Sequence, residues 1–137
     1  MLITKRVEFS ASHICRNAQL SDEENRRLFG AAANPHGHGH NYILDVTLQG
    51  EPDPVTGMVM DLKELKEILQ REVLDPMDHR FLNHEVPPFD RVIPTAESVA
   101  MEIWKRLSRS ISGGLAKLYS VRLYETQDLY VEYFGGE

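Results

Sequence analysis

Residues 38–49 alternate between two kinds of side chain with a period of two residues. One set is mostly apolar and the other is polar. The first set is His38, His40, Tyr42, Leu44, Val46 and Leu48, and the second includes Asn41, Asp45, Thr47 and Gln49. Because successive side chains of a strand point to opposite faces, this period predicts a β-strand with one buried face. The chain is therefore expected to build a sheet whose buried face also carries two histidines.

Three further strands are predicted, at residues 2–13, 116–125 and 129–134. In the first of these, the odd positions from Val7 to His13 share one face. A brief extended segment is also expected at residues 59–60, directly before a helix. The strands thus fall into two groups, at the beginning and at the end of the chain.

Helices are predicted between these two groups, at about residues 22–29, 62–73 and 96–112. Ser21 and Glu24 fit a capping box for the short first helix, and Thr95 is the expected N-cap of the last one. Pro76 is expected to end the second helix, and residues 75–94 are expected to be irregular. This order favours an α+β domain with a four-stranded antiparallel sheet and two helices on one face. The exposed edges of such a sheet favour pairing with other copies of the chain.

Length and composition exclude several classes of protein. The chain has 137 residues, which predicts a single domain over residues 1–137. Its net charge of -6 argues against a nucleic-acid partner, which would need a basic surface. No apolar run approaches the roughly 18 residues that cross a bilayer, so no membrane association is expected. The single cysteine, Cys15, cannot form an internal disulfide, and this together with the absence of a secretory signal predicts a cytoplasmic location.

The histidines on the predicted strand 38–49 indicate a metal site. His38 and His40 are two residues apart, so both imidazoles project from the same face and can bind one ion. His13 ends the first predicted strand and supplies a third nitrogen if the two strands are neighbours. Three protein ligands with a fourth position open are typical of catalytic zinc. His36 is the competing third ligand, although it precedes the strand and lies in a loop.

Seven short motifs are spread in order over nearly the whole chain. They are Phe9-Ser10-Ala11-Ser12-His13, Phe29-Gly30, Asn34-Pro35, Gly37-His38-Gly39-His40-Asn41-Tyr42, Asp53-Pro54-Val55-Thr56-Gly57-Met58-Val59-Met60, Asp78-His79 and Tyr124-Glu125-Thr126. Together they resemble the 6-pyruvoyl-tetrahydropterin synthase and 6-carboxytetrahydropterin synthase family. The resemblance implies the tunnelling fold, in which the sheets of three subunits close into a barrel and two trimers form a hexamer. It also implies that His13, His38 and His40 bind zinc.

The same resemblance implies a lyase that acts on a pterin triphosphate, 7,8-dihydroneopterin triphosphate. One branch of the family eliminates triphosphate and gives 6-pyruvoyl-tetrahydropterin. The other cuts the side chain and gives 6-carboxy-5,6,7,8-tetrahydropterin on the route to queuosine. A related branch releases 6-hydroxymethyl-7,8-dihydropterin for folate synthesis. A homologue that binds pterin or zinc without turnover is the further alternative.

Roles for further residues also follow from the resemblance. It places Asp78 and His79 with the catalytic base or proton relay, and Glu125 as the anchor of the pterin ring. Thr95 and Glu97 fall in the segment that lines the same pocket. The residues themselves support Glu125, because one carboxylate can accept hydrogen bonds from both the amino group and the ring N–H of a pterin. For Glu97, a simple role in the first turn of a helix is an equal alternative.

One position departs from the family pattern. Ala32 occupies the place of the family's reactive cysteine, and a methyl group can neither accept a proton nor attack a substrate. Three explanations stay open: a deliberate replacement of cysteine, a natural branch with altered chemistry, or substitution by Cys15. With alanine at this position, we expect the protein to bind substrate well but to turn it over slowly. For Cys15 the alternative role is that of a small buried apolar residue.

Overall fold

The computed structural model describes residues 1–136, and its strands form a single sheet. The strands are β1 (Leu2–His13), β2 (His38–Gln49), β3 (Arg80–Phe81), β4 (Lys117–Thr126) and β5 (Leu129–Tyr133). Their spatial order is β3-β1-β2-β4-β5. β1, β2, β4 and β5 pair antiparallel, whereas β3 lies parallel to β1. The predicted α+β class is confirmed, and the four long strands begin and end within two residues of the predicted bounds.

The two-residue strand β3 corrects the expected four-stranded sheet to a five-stranded one. It pairs with β1 at Ala11 and Ser12. Directly before it, the backbone N–H of His79 donates to the carbonyl of Ser10 over 2.6 Å. So short a strand has no periodic signal in the sequence, because its pairing depends on where the preceding loop lies in space.

The helices are α1 (Asp22–Phe29), α2 (Leu62–Leu69), α3 (Asp75–Met77), α4 (Leu82–Glu85) and α5 (Ala96–Ser110). A 3₁₀ turn (Gly30–Ala33) follows α1, and a π-helical turn (Gln70–Leu74) joins α2 to α3. The expectation that Pro76 ends the helix is wrong, because Pro76 lies in the first turn of α3, where its missing N–H is not needed. Residues 59–60 form a bend rather than a strand.

Side-chain caps fix the beginnings of α1 and α5. The backbone N–H of Glu24 donates to Ser21 Oγ, and the N–H of Ser21 donates to Glu24 Oε1, each over 3.1 Å. The predicted capping box is thus confirmed. Thr95 Oγ1 accepts from the N–H of Ser98 over 3.2 Å, which confirms Thr95 as the N-cap of α5. This cap also holds Pro94 at a fixed place beside the sheet.

The hydrophobic core lies between one face of the sheet and the helices α2 and α5. The sheet contributes Phe9, Tyr42, Leu44, Val46, Leu48 and Leu123, and the helices contribute Leu65, Leu69, Ile103 and Leu107. All of these are at most 1% exposed. The odd positions of β1 and the even positions of β2 face this core, and both strands carry histidines at the end of that face. Within residues 1–136, none of the helices is long and apolar enough to cross a membrane.

Candidate functional site

Three histidines meet at one end of the buried sheet face. The antiparallel register of β1 and β2 places His13 directly opposite His38, and His40 follows two residues later on the same face. Their ring centroids are 4.6 Å (His13 to His38), 4.8 Å (His38 to His40) and 5.0 Å (His13 to His40) apart. One nitrogen of each ring lies within 4.8 Å of the other two. We call these three residues the histidine cluster. His36 is exposed and is not part of it.

The backbone of Pro94 fixes the orientation of His13. His13 Nδ1 lies 2.7 Å from the Pro94 carbonyl oxygen, which can only accept, so Nδ1 carries the hydrogen. Nε2 is then left with its lone pair and lies 3.0 Å from His38 Nε2. A ligating histidine is typically held in this way, with its second nitrogen donating to a carbonyl or carboxylate.

The unpaired nitrogens of the cluster fit a metal ion. Among the described residues, His40 Nε2 is buried and has no hydrogen-bond partner, and the same holds for His38 Nδ1, the ring nitrogen of His38 that does not face His13. Two nitrogens bound to one tetrahedral zinc at about 2.0–2.1 Å lie about 3.3 Å apart, close to the 3.0 Å that separates the Nε2 atoms of His13 and His38. Three imidazoles without a cysteine are the ligand set of an open, catalytic site. The donor set therefore fits zinc.

Burial keeps two of the three rings in the form that binds a metal. Desolvation lowers the pKa of His13 and of His40 below the ordinary value of a histidine. Both rings are therefore neutral at neutral pH, and neutral imidazole is the ligand form.

Glu125 lies beside the cluster on the same face. It follows Tyr124, which pairs with Ile43 of β2, so Glu125 is next to Tyr42 and His40 across the strands. Its Oε1 is 3.9 Å from His40 Nε2, and its side chain is 19% exposed. No hydrogen bond occupies its carboxylate among residues 1–136. A half-enclosed carboxylate with free lone pairs can accept two parallel N–H groups.

Thr95 and Glu97 lie at the beginning of α5, close to His13 by way of Pro94. Thr95 uses its hydroxyl as a cap, and its Oγ1 also lies 3.2 Å from Ser98 Oγ. Glu97 is exposed, and its carboxylate makes no hydrogen bond or ion pair in the described chain. The structure therefore gives Thr95 a structural task and leaves the Glu97 carboxylate without a partner among residues 1–136.

Ala32 lies in the 3₁₀ turn, close to the cluster. Its carbonyl accepts from the N–H of Cys15 over 2.8 Å, and Cys15 is two residues beyond His13. The Cys15 thiol is buried, with Sγ 3.8 Å from His13 Nδ1. Burial raises the pKa of this thiol to about 11, so it stays protonated at neutral pH and is a poor base.

Asp78 and His79 form a pair but do not join the cluster within one chain. Asp78 Oδ1 lies 3.0 Å from His79 Nδ1 and accepts from the N–H of Ser10 over 2.9 Å. The Ser10 N–H holds the pKa of Asp78 below its usual range. The His79 side chain is 83% exposed and borders an open cleft of about 510 Å³ with Ser10, Ser12 and Asn41. Ser10, Ser12 and Asn41 alternate with the cluster positions and so belong to the opposite sheet face, but His40 of the cluster also lines this cleft.

Two residues of this region are not assigned by the sequence. Pro94 acts through its backbone carbonyl, and the role of a backbone atom leaves no signal in the sequence of side chains. Tyr42 lies on the cluster face with its hydroxyl buried and unpaired. The two-residue period of β2 did place Tyr42 on that face, and this was the available signal.

Comparison with known proteins agrees with this geometry. The family described as 6-pyruvoyl tetrahydropterin synthase matches residues 2–136. The chain is 47% identical to the 6-pyruvoyl tetrahydrobiopterin synthase of Homo sapiens over 133 residues, which cover 97% of this chain and 90% of that protein. It is 30% identical to the 6-carboxy-5,6,7,8-tetrahydropterin synthase of Haemophilus influenzae over 116 residues, which cover 70% of this chain and 80% of that protein.

A solved structure supports the same conclusion. The 6-pyruvoyl tetrahydropterin synthase of Caenorhabditis elegans superposes with a TM-score of 0.93 at 39% identity, covering 99% of this chain and 96% of that one. The match thus extends over the whole sheet, including the strands that carry the histidine cluster and Glu125. The chain belongs to the 6-pyruvoyl tetrahydropterin synthase family, whose members are pterin lyases.

Proposed function

We propose that this protein is a zinc-dependent lyase that acts on 7,8-dihydroneopterin triphosphate. The observation that carries the proposal is the position of Glu125, 3.9 Å from His40 Nε2 in the histidine cluster. This position supports a ring anchor beside a metal site, as a pterin with a reactive side chain requires. The higher identity to 6-pyruvoyl tetrahydrobiopterin synthase than to the 6-carboxy enzyme favours 6-pyruvoyl-tetrahydropterin as the product. The 6-carboxy product of the queuosine route is the second candidate.

The histidine cluster and Glu125 would bind different parts of the metal–substrate assembly. The histidine cluster would hold zinc, which would act as a Lewis acid and acidify the C–H and O–H groups of the substrate side chain. Glu125 accepts from the amino group and the ring N–H of the pterin and so fixes the ring. Pro94 keeps His13 in the tautomer that presents Nε2 to the metal. The substrate side chain is thus directed from the ring held by Glu125 to the cluster.

The proton relay is proposed to come from a second subunit. Asp78 and His79 pair with each other, but neither belongs to the group of three histidines that meet in the cluster of their own chain. A site completed at a subunit boundary brings such a pair to a neighbour's cluster. We therefore propose a homohexamer, a dimer of trimers in which the free edges of the sheet pair around a barrel. Residues 1–137 are proposed to act as one domain in the cytoplasm, in line with the single buried Cys15.

Ala32 is proposed to limit the rate. The 3₁₀ turn holds position 32 near the cluster, where a thiol would serve as base and a methyl group cannot. Losing a general base typically lowers the rate by about 10²–10⁴-fold, while binding is kept. Cleavage to 6-hydroxymethyl-7,8-dihydropterin, or binding without turnover, is the alternative that Ala32 favours.

Product analysis separates these functions. The zinc-loaded protein is incubated with 7,8-dihydroneopterin triphosphate, and the products are identified by mass spectrometry over a long time course. We expect slow release of triphosphate together with 6-pyruvoyl-tetrahydropterin. The 6-carboxy compound would assign the other branch, and 6-hydroxymethyl-7,8-dihydropterin would assign the folate route. Unchanged substrate that stays bound to the protein would identify a binding protein.

A further inference from the structure

The side chain of Asn83, on α4, makes two hydrogen bonds to the backbone of a single residue, Ile14. Its Oδ1 accepts from the N–H of Ile14 over 2.8 Å, and its Nδ2 donates to the Ile14 carbonyl over 2.9 Å. A neighbouring strand satisfies the backbone N–H and C=O groups of a residue in a similar way. Since β3 pairs with β1 only at Ala11 and Ser12, the Asn83 side chain extends this contact to a position two residues further along the chain.

Ile14 directly follows His13 of the histidine cluster. The N–H of Ile14 belongs to the planar peptide group that also contains the His13 carbonyl, so Asn83 Oδ1 fixes the plane of that group. The His13 ring has a separate anchor, because its Nδ1 donates to the Pro94 carbonyl over 2.7 Å. The backbone and the ring of His13 are thus held by two different segments of the chain, and the position of its Nε2 depends on both.

The segment that carries Asn83 is also attached to β1 at earlier positions. Asp78 Oδ1 accepts from the N–H of Ser10, and the N–H of His79 donates to the Ser10 carbonyl. The pairing of β3 with β1 follows at the next two residues of β1. Removing the Asn83 side chain therefore releases only the last attachment, the one beside His13, and leaves the others in place.

We propose that Asn83 is a positioning residue of the metal site, which holds the end of β1 so that His13 Nε2 faces the ion. The inference rests on the proposed function, because it takes the zinc from there. Both polar atoms of the Asn83 side chain bind Ile14, so Asn83 acts through the backbone of His13. Replacing a residue that orients a metal ligand typically lowers metal affinity by about 10–100-fold. Because Asn83 acts through one peptide group, we expect a loss of about tenfold.

The test measures the metal site itself on two variants of Asn83. The Kd for zinc is determined by competition with a chelator, and the visible absorption of the cobalt(II)-loaded protein reports the arrangement of the ligands. Asn83→Ala removes both hydrogen bonds to Ile14. Asn83→Asp is the milder change, because it keeps the acceptor for the Ile14 N–H but places an oxygen opposite the Ile14 carbonyl. We expect both variants to raise the Kd for zinc, Asn83→Ala by about tenfold, and to alter the cobalt spectrum.

Asn25→Ala is the matched control. Asn25 is 1% exposed and also binds backbone groups on both sides of its amide, accepting from the N–H of Asn17 and donating to the carbonyls of Asn17, Leu20 and Ser21. None of these residues is next to a histidine of the cluster in the chain. Asn25→Ala should therefore lower the unfolding temperature of the metal-free protein and leave the Kd for zinc and the cobalt spectrum unchanged.

Three results would overturn the inference. An unchanged Kd for zinc and an unchanged cobalt spectrum in the Asn83 variants would show that the contact with Ile14 serves the fold alone. The same changes in Asn25→Ala would show that a general loss of stability, rather than the position of His13, alters the metal site. Failure of the unaltered protein to bind zinc would overturn the proposed zinc dependence and this inference together. The first two results leave the proposed function intact.

Discussion

Replacing Glu125 with glutamine tests how the protein recognises a pterin. The variant keeps one acceptor oxygen and exchanges the other for an NH₂ group, which faces a donor of the pterin edge. The Glu125 side chain is 19% exposed, so water can compensate for little of the loss. A hydrogen bond to a charged group contributes about 1.5–3 kcal/mol, and Glu125→Gln should therefore raise the Kd for neopterin about 10- to 150-fold.

The fold should tolerate this change. The Glu125 carboxylate makes no hydrogen bond within the described chain. The imidazole of His40, 3.9 Å away, is neutral at neutral pH because burial lowers its pKa. The unfolding temperature should thus stay close to that of the unaltered protein. Glu67→Gln is the matched control, because Glu67 is exposed on α2 and its carboxylate has no partner in residues 1–136. An affinity of Glu125→Gln within twofold of the unaltered protein would remove Glu125 from the site.

Three further predictions concern the metal, the acid pair and the assembly. Alanine at any one of the three cluster histidines should abolish stoichiometric zinc binding in metal analysis, whereas His36→Ala should keep it. Zinc retained by a cluster variant would refute the ligand set. Asp78→Asn should lower the unfolding temperature at pH 7. The Ser10 N–H depresses the pKa of Asp78 in the fold, so the ionised carboxylate contributes to folding stability above about pH 4. This contribution is lost as the pH falls through the folded pKa, and the difference in unfolding temperature between the variant and the unaltered protein should vanish there. A difference that is independent of pH would contradict this. Light scattering should show a hexamer of 15.7 kDa chains, and a monomer that binds pterin would contradict the shared site.

Much of the sheet could be predicted because β1 and β2 obey a simple period. The alternation from His38 to Gln49 fixed both the strand and the face that carries two of the cluster histidines. The third, His13, followed from placing the first strand next to the second, and the register with His13 opposite His38 agrees. Local chemistry was also sufficient for the caps at Ser21 and Thr95.

Other features depend on tertiary contacts that no local pattern encodes. β3 exists because the loop before it returns to β1, where His79 adopts a positive φ of 61° and donates to Ser10. The same loop keeps Asp78 and His79 out of the histidine cluster of their own chain, which the sequence motif alone could not reveal. The carbonyl of Pro94 orients His13 through backbone geometry. Roles that depend on backbone atoms or on a second subunit thus remain outside what a single sequence can predict.

The rate of triphosphate release is the most direct test of the proposed lyase. It should be measured on the zinc-loaded protein with 7,8-dihydroneopterin triphosphate, before and after the substitution Ala32→Cys. Ala32→Ser serves as the control, because serine is close to cysteine in size but has a hydroxyl group in place of the thiol. We expect Ala32→Cys to raise the rate by at least about 10²-fold and Ala32→Ser to raise it far less. Equal rates for the three proteins would contradict the proposed role of position 32, which would then take no part in the reaction.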